Sequence, residues 1–286
     1  MSLLLIKRMG YALLLLAGAG CSLLAPEQKR LKDYDLAQPE KFHMPESLVE
    51  ISGIAFYKGD PGIIYAIQDE QGKLFRVQWG IKKQSHVKFS KTGDFEDLAI
   101  MGDTVIVLKS KGVLYTFPLA DSLQEEVARV QEWKGLLPGG EYEGIYADET
   151  TGLVYVLCKN CPPADSKTTV PGYIFQFNGV SFSPAGNFAI DVSQIRAING
   201  KVKRGFRPSA LAKNPLTHEW FIISAVNQLL VVADSSWKVK EVYHLDANRF
   251  NQPEGLAFDK KGNMYISNEG DHISEGNILK FTRKEN

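Results

Sequence analysis

The stretch FNQPEGLAFDKKGNMYISNEG, residues 250–270, carries the pattern that decides the fold. Glu254 and Gly255 lead into a short apolar run, a polar turn around Gly262 follows, and a second apolar run ends at Asn268. Two apolar runs of strand length, separated by a turn of this composition, are typical of an antiparallel β-hairpin. Weaker copies of the same pattern occur earlier in the chain, so the hairpin is one unit of a repeat.

Four further stretches align with this one, and each contains two or three segments rich in Ile, Val, Tyr and Phe. The equivalent positions, called the ring residues below, are Ser52, Glu96, Glu143, Ser209 and Glu254, at intervals of 44, 47, 66 and 45 residues. Antiparallel meanders that repeat every 40–50 residues or so are typical of a β-propeller. The long third interval predicts a lengthened loop with a short helical turn in the third blade. A sixth blade is the alternative, although no further copy of the motif is found there.

A propeller must close its ring, and the fifth unit has room for only three strands, the last of them NILKF at residues 277–281. Near the N-terminus, Tyr-Asp-Leu at 34–36 matches Tyr-His-Leu at 243–245, which precedes the fifth unit. We therefore expect residues 32–37 to supply the missing strand. The sequence predicts an all-β, five-bladed β-propeller over residues 32–286, closed by an N-terminal strand.

Residues 1–20 predict a secretory signal, because a basic pair precedes an apolar stretch that is too short to span a bilayer. Cys21 follows Gly-Ala-Gly at 18–20 and resembles the cysteine of a bacterial lipobox, which is lipidated and becomes the mature N-terminus. Gly18 stands where a lipobox usually has Leu, and ordinary secretion or an uncleaved anchor is the alternative. We expect a lipoprotein of the cell envelope, tethered to a bacterial membrane through residues 21–31 and facing the periplasm.

Export also decides how Cys158 and Cys161 are interpreted. In an oxidising compartment a C-x-x-C pair favours a local disulfide, with free thiols or a metal or redox site as alternatives. A zinc site would need two more thiolate or imidazole ligands, and the one other cysteine is Cys21.

The overall charge excludes a nucleic-acid-binding protein of the usual basic kind. The 286 residues include 33 basic and 33 acidic side chains, for a formal net charge of zero. With 44% hydrophobic and 23% charged residues, the composition is that of an ordinary globular protein, which we expect to be a monomer.

The ring residues predict a cation site. The first strand of each blade runs beside the central axis, so three glutamates are drawn together, and either their pKa values rise or a cation lies among them. Ca²⁺ accepts six to eight oxygen ligands. The alternative is that each glutamate accepts backbone N–H groups or pairs with Lys109, Lys159 or Arg207. Glycine follows the ring residue in three blades, which fits crowding near the axis or a β-bulge. Further oxygen atoms are expected from Asp69, Glu70, Asn160, Asn227, Asn268 and Glu269.

At these motifs the chain resembles the SdiA-regulated family of exported bacterial β-propellers and, more distantly, the NHL-repeat propellers. The resemblance spans residues 32–282 and rests on SGIAF, DFEDLAI, EYEGIYAD, RPSALAKNP and QPEGLAFD, with GNMYISNEG and GNILKF. It implies a five-bladed propeller with calcium coordinated by Glu96, Glu143 and Glu254. It implies no established activity.

Two classes of function remain after a search for catalytic motifs. The sequence has no nucleophile elbow, zinc-protease motif, P-loop or dinucleotide-binding fingerprint. This favours a calcium-binding module that is tethered by a lipid and presents its loops to a protein or a small ligand. The alternative is a calcium-dependent hydrolase or lyase acting on an ester, lactone or phosphoester. An open coordination position on the ion would favour the enzyme.

Overall fold

The computed structural model describes residues 31–271 and 273–284. The predicted signal segment and the lipidation site at Cys21 lie outside the described residues. The described part of the chain contains twenty strands, arranged in five antiparallel sheets of four strands each. These sheets are the blades of a β-propeller, as the repeat predicts.

The strands are numbered along the chain, and the blades are given from the inner to the outer strand. Blade one has β2 (Ile51–Phe56), β3 (Ile64–Gln68), β4 (Gln71–Val77) and β5 (Ser85–Thr92). Blade two has β6 (Phe95–Met101), β7 (Thr104–Lys109), β8 (Val113–Pro118) and β9 (Gln131–Trp133). Blade three has β10 (Glu141–Asp148), β11 (Leu153–Asn160), β12 (Thr169–Phe177) and β13 (Phe182–Asp191). Blade four has β14 (Ala210–Lys213), β15 (Trp220–Ser224), β16 (Leu229–Ala233) and β17 (Val239–His244). Blade five has β18 (Pro253–Phe258), β19 (Met264–Asn268), β20 (Asn277–Phe281) and β1 (Glu40–His43).

The helical segments are short. One α-helix, α1 (Val192–Asn199), follows β13, and Asp191 caps it by accepting the N–H of Ser193 over 2.8 Å. It lies in the long third interval, where the sequence predicts a lengthened loop, and the described residues contain no sixth blade. Single 3₁₀ turns occupy Glu46–Leu48, Tyr57–Gly59 and Leu119–Leu123. No helix within the described ranges is long and apolar enough to cross a membrane.

An N-terminal strand closes the ring, as expected, but it is a different segment from the predicted one. Strand β1 runs antiparallel to β20, with His43 opposite Asn277. Residues 32–37 form turns instead of a strand, so that part of the prediction is wrong. Tyr34 is 2% exposed and packs with Tyr243 in the core between blades four and five. The matching tyrosines therefore report a shared buried position and not a shared strand.

The core of the protein is divided among the five gaps between neighbouring blades. Each of the five hydrophobic clusters combines residues of two adjacent blades. Burial between blades drives the packing of the ring, and the ring closes within residues 40–281. The described residues thus form a complete propeller around a central channel.

Candidate functional site

The ring residues lie where the innermost strand of each blade begins. Strands β2, β6, β10, β14 and β18 contact one another in this order around the axis. Ser52, Glu96, Glu143 and Glu254 stand at the second or third position of their strands, and Ser209 directly precedes β14. All five therefore surround one opening of the channel, which we call the upper mouth. The same strands end at the lower mouth.

A β-bulge occurs at each ring glutamate. The two residues that flank Glu96 pair with consecutive residues of β7, so that Glu96 is left without a partner in the ladder. The ladders around Glu143 and Glu254 show the same irregularity. A bulge leaves its extra residue unpaired and changes the direction of the side chain. The bulges thus explain how three glutamates of regular strands come to share the upper mouth.

The position after the ring residue is too crowded for a side chain. A Cβ atom on Gly255 would lie 2.3 Å from Oγ of Ser267 and 2.5 Å from the backbone oxygen of Ser52. A Cβ atom on Gly144 would lie 2.7 Å from Cδ2 of Leu211. The sequence left crowding and a bulge as alternatives, and the structure contains both.

Burial and mutual repulsion raise the pKa values of the three ring glutamates. Loss of hydration is the largest cause for each of the three. For Glu96 the second cause is repulsion by Glu143, and its pKa rises to about 8. The pKa values of Glu143 and Glu254 rise to about 7, although Lys159 lowers both. Near neutral pH the upper mouth therefore holds carboxyl groups that are close to their own titration points.

The ring glutamates share the ammonium group of Lys159. Its Nζ donates to Oε1 of Glu143 over 2.7 Å, with 27% of the lysine side chain and 6% of the glutamate side chain exposed. Burial lowers the pKa of Lys159, but Glu143, followed by Glu254 and Glu96, outweighs that effect and raises it. One ammonium group thus neutralises a ring of three carboxyl groups in part.

Cys158 and Cys161 close the loop that carries Lys159. The two buried cysteines form a disulfide in the structure, with their Cα atoms 6.1 Å apart. Such a bridge restricts the four-residue loop. It therefore fixes the base of the lysine side chain beside the ring.

Several of the other predicted oxygen donors lie near the ring. Loss of hydration and then repulsion by Asp69 raise the pKa of Glu269 to about 7. Glu269 in turn raises the pKa of Glu254. Glu70 is exposed and repels Asp69. Among the described residues, Oδ1 of Asp69 and Oδ1 of Asn268 are buried oxygen atoms without a hydrogen-bond partner.

Two predicted donors are held by their own loops instead. Asn227 accepts the N–H of Arg207 over 3.0 Å and donates to the backbone oxygen of Gly205 over 2.9 Å. Asn160 donates to Oε2 of Glu141 over 3.5 Å. None of these three bonds reaches a ring residue, so the two amides are not part of the site as it stands.

Asp97 belongs to the site, although the repeat analysis did not single it out. It follows Glu96 directly, at the position that is glycine in three other blades. Its carboxylate accepts the N–H of Leu98 over 2.8 Å and the N–H of Ile145 over 2.9 Å, which joins blades two and three. Loss of hydration raises its pKa well above the ordinary range. The signal in the sequence was the replacement of glycine by aspartate in DFEDLAI.

The ring glutamates share one mouth but do not converge on a point. Within residues 31–271 and 273–284, no three His, Cys, Asp or Glu side chains come close enough together to hold a metal ion. The predicted set of Glu96, Glu143 and Glu254 is thus linked through its charges and through Lys159.

A known family matches the part of the chain that runs from blade three to blade five. Residues 167–272 match the model of the SdiA-regulated family. The matched stretch contains Ser209 and Glu254, and it confirms over these residues the resemblance that the motifs predict. A comparison with curated proteins gave no match.

Solved structures share the propeller fold at low sequence identity. A glutaminyl cyclase from Myxococcus xanthus is 13% identical with a TM-score of 0.56, over 86% of this chain and 96% of that one. A calcium-binding protein, regucalcin from Agrobacterium tumefaciens, is 9% identical with a TM-score of 0.52, over 88% and 95%. A luciferin-regenerating enzyme is 8% identical with a TM-score of 0.53, over 86% and 95%. At these identities the likeness shows the fold alone.

Proposed function

We propose that this protein is a binding module of the bacterial cell envelope whose upper mouth binds a calcium ion through Glu96, Glu143 and Glu254. The observation that carries the proposal is the charge at the mouth, where the ammonium group of Lys159 faces three carboxyl groups with raised pKa values. A divalent cation would relieve the repulsion among these groups. The structural likeness to regucalcin supports the fold of such a module but identifies none of its calcium ligands.

The donor chemistry at the mouth fits a hard cation, and the three carboxyl groups have to move closer together to coordinate one ion. Ca²⁺ prefers carboxylate, carbonyl and amide oxygen atoms and tolerates irregular geometry. The ring supplies three carboxyl groups, and Glu269 stands close enough to Glu254 to raise its pKa. The buried Oδ1 atoms of Asp69 and Asn268 have no hydrogen-bond partner within the described ranges.

Lys159 competes with such a cation for Glu143. Nζ of Lys159 lies 2.7 Å from Oε1 of Glu143. A divalent ion that binds this oxygen therefore has to displace the ammonium group. The side chain is 27% exposed, which leaves it a path towards solvent. We therefore expect Lys159→Gln to bind calcium more tightly than the wild type does, because the competing ammonium group is gone.

Calorimetric titration of Ca²⁺ into EDTA-treated protein tests the site. Residues 27–286 are suitable because they contain the complete closed ring. We expect saturable binding at one site in the wild type and none in the variant Glu96→Gln/Glu143→Gln/Glu254→Gln. A wild type that binds no calcium, or a folded triple variant that binds it equally well, contradicts the proposal.

A second triple variant controls for the change in overall charge. Glu46, Glu125 and Glu126 are exposed and are not among the main groups that shift the pKa values of the ring glutamates. Their combined replacement by glutamine removes the same three charges, and calcium binding should be retained. Equal losses in both triple variants would mean that calcium responds to net charge rather than to the ring.

We also propose that a lipid on Cys21 tethers the module to the membrane. The support is the sequence alone, since the basic pair, the short apolar stretch and Cys21 lie outside the described residues. Metabolic labelling with an alkyne fatty acid in a bacterial host should mark the wild type and leave Cys21→Ser unmarked. An unlabelled wild type, or equal labelling of both proteins, contradicts the tether.

Hydrolysis is a second candidate function. The observation that favours it is the pair Glu96 and Glu143, whose pKa values of about 8 and about 7 suit a general acid and a general base near neutral pH. A calcium ion bound to these same carboxyl groups would lower their pKa values, so this acid–base pair requires a calcium-free mouth. In a calcium-dependent reaction the ion would instead polarise an oxygen of an ester, lactone or phosphoester. A screen of chromogenic substrates with and without calcium tests this function, and turnover should be lost in Glu96→Gln. Turnover that survives in this variant would place the reaction elsewhere.

A further inference from the structure

A chamber of about 300 Å³ opens at the lower mouth, at the opposite end of the channel from the ring glutamates. Its inner end is formed by the branched residues two positions after each ring residue. These are Ile54, Leu98, Ile145, Leu211 and Leu256, all at most 3% exposed. The layer separates the chamber from the polar upper mouth, so the chamber is a distinct site.

Small side chains in the next layer leave the space for the chamber. The residue three positions after the ring residue is alanine in four blades and tyrosine, Tyr146, in the third blade. The alanines are Ala55, Ala99, Ala212 and Ala257, each at most 9% exposed. Tyr146 packs edge-on against Trp220, with ring centroids 5.3 Å apart. Because all five blades contribute one residue to each layer, the chamber is a regular product of the repeat.

Lysine side chains stand at the rim of the chamber. Lys213 is paired with Asp148 over 3.1 Å. Lys58 and Lys260 are exposed, and neither forms an ion pair with a carboxylate of the described residues. Lys58 lies over the ring of its neighbour Tyr57, with Nζ 4.8 Å from the centroid, and forms a side-chain hydrogen bond with it. Asp103 and Glu149 also attract its ammonium group without pairing with it. Two ammonium groups at the rim are therefore available to an anion.

The acidic residues of the rim are occupied by nearby donors. Asp259 is 1% exposed and accepts the backbone N–H groups of Lys261 and Asn263, each over 2.9 Å. Asp148 accepts from Thr150 in addition to Lys213. Glu149 accepts the N–H of Gly102 over 2.9 Å. Asp148 and Asp259 thus complete their own turns, and Glu149 joins the turns of blades two and three. The rim as a whole carries three acids and three lysines.

A backbone bond holds the two available lysines on the same side of the rim. The N–H of Lys260 donates to the oxygen of Gly59 over 2.9 Å and joins the turns of blades five and one. Gly59 adopts a φ of +66°, and a Cβ atom there would lie 2.8 Å from the nitrogen of Lys260. The close approach of the two turns places Lys58 and Lys260 on adjoining segments.

We propose that this chamber binds a small amphipathic carboxylate, with its apolar chain between the alanines and its carboxylate beside the ammonium groups of Lys58 and Lys260. The apolar walls favour a hydrocarbon chain, and ammonium groups form strong hydrogen bonds with a carboxylate. A volume of about 300 Å³ lies at the lower end of the range for ligand pockets, which fits one small molecule.

Calorimetric titration of octanoate into residues 27–286 tests the proposal. EDTA is present, so that a failure of the calcium site leaves the result unchanged. We expect saturable binding by the wild type and at least tenfold weaker binding, roughly the effect of losing charge-assisted hydrogen bonds, by Lys58→Gln/Lys260→Gln. Octanamide, the uncharged analogue, should bind the wild type and this variant equally. A wild type that does not bind octanoate overturns the proposal, as does a double variant with unchanged affinity.

Two further variants test whether octanoate binds in the chamber, rather than through general charge effects or on another apolar surface. Lys238→Gln/Lys261→Gln removes two exposed lysines that do not line the chamber, and octanoate affinity should stay within about twofold of the wild type. Ala99→Leu fills the chamber and should abolish binding of octanoate and octanamide. If Ala99→Leu is folded by circular dichroism and still binds octanoate as the wild type does, the ligand lies elsewhere and the proposal is wrong.

Discussion

The ammonium group of Lys159 lies 2.7 Å from Oε1 of Glu143, and both residues belong to blade three. Glu143 stands on the innermost strand, whereas Lys159 stands near the end of the neighbouring strand β11. Glu96 and Glu254 come from other blades and share the same ammonium group at longer range. Lys159 therefore lowers the pKa values of all three ring glutamates.

We expect the stability of the propeller to fall as the pH rises from about 5 to about 9. Each ring glutamate has an ordinary pKa of 4.5 and a pKa of about 7 or 8 in the fold. The folded state therefore binds more protons than the unfolded state across this window, and raising the pH through it disfavours folding. The stabilising contribution is complete below pH 4.5 and is lost once the pH exceeds the folded pKa values.

Thermal unfolding of EDTA-treated protein at pH 5 and pH 9 measures this effect. The Tm should be lower at pH 9, by about 2–4 °C for each kcal/mol of stability lost. The variant Glu96→Gln/Glu143→Gln/Glu254→Gln cannot titrate at the ring and should show a smaller difference. Identical pH dependence in both proteins would show that other groups are responsible.

Removal of the ammonium group should destabilise the protein most where the ring is ionised. Lys159→Gln leaves Glu143 buried without its ion-pair partner. Loss of one member of a buried pair costs about 3–5 kcal/mol, and partial exposure of Lys159 reduces the expected loss to about 1–3 kcal/mol at pH 9. Denaturant titration at pH 9 and pH 5 should show a smaller loss at pH 5.

Lys111 provides the matched control for this substitution. Its ammonium group pairs with Oε1 of Glu141 over 3.3 Å at an exposed position of the same mouth. Lys111→Gln should change the free energy of unfolding by about 0.5 kcal/mol or less at either pH. Equal effects of the two substitutions would mean that the Lys159 pair has no special place in the ring.

The repeat in the sequence was sufficient to predict the blades and the ring, because propeller strands recur at a regular spacing. It offered Lys159, beside Lys109 and Arg207, as a partner of a ring glutamate, but it did not decide which of the three forms the pair. The direction of the Lys159 side chain depends on the loop closed by Cys158 and Cys161, and no copy of this loop occurs in the other blades. Asp97 was missed for a related reason, because it stands where three other blades have glycine and so does not belong to the repeated pattern.

The closing strand shows a further limit of pattern matching. Tyr34 and Tyr243 are both buried in one core, so the local patterns around them look alike. Strand β1 is selected by pairing with β20, more than 200 residues away. A contact between such distant segments leaves no local periodicity from which the strand could be predicted.

Gly255→Ala should destabilise the fold because the new Cβ atom has no space. It would lie 2.3 Å from Oγ of Ser267 and 2.5 Å from the backbone oxygen of Ser52. Overpacking of this kind costs about 1–3 kcal/mol. At Gly139 a Cβ atom would meet nothing within 4 Å, so Gly139→Ala should be neutral by chemical denaturation. A neutral Gly255→Ala would show that the ring at this point is less crowded than the structure indicates.

Tyr34→Phe should weaken the attachment of the N-terminal segment to blades four and five. The hydroxyl of Tyr34 donates to the oxygen of Gly262 over 2.7 Å and accepts from Nδ2 of Asn214 over 2.8 Å. Loss of both bonds at a buried site costs about 1–3 kcal/mol. Tyr57→Phe removes an exposed hydroxyl bonded to Asp103 and should cost about 0.5 kcal/mol or less. Denaturant titration of both variants decides whether the buried hydroxyl stabilises the ring.

The state of Cys158 and Cys161 can be measured directly. We expect neither cysteine to react with iodoacetamide in unfolded, unreduced protein, and both to react after reduction. The mass of the unreduced protein should be about 2 Da lower, because a disulfide forms with the loss of two hydrogen atoms. Full labelling without a reductant would identify the pair as free thiols.

The closure of blade five has a consequence for how the protein is made. Blades one to four consist of consecutive strands, so each is complete as soon as its own segment of the chain has been made. Strand β1 is translated before every other strand, and its partner β20 is translated after all of them. Until then it is an unpaired edge, of the kind that invites aggregation. A chain truncated before Asn277 therefore lacks the strand that pairs with β1 and closes the ring.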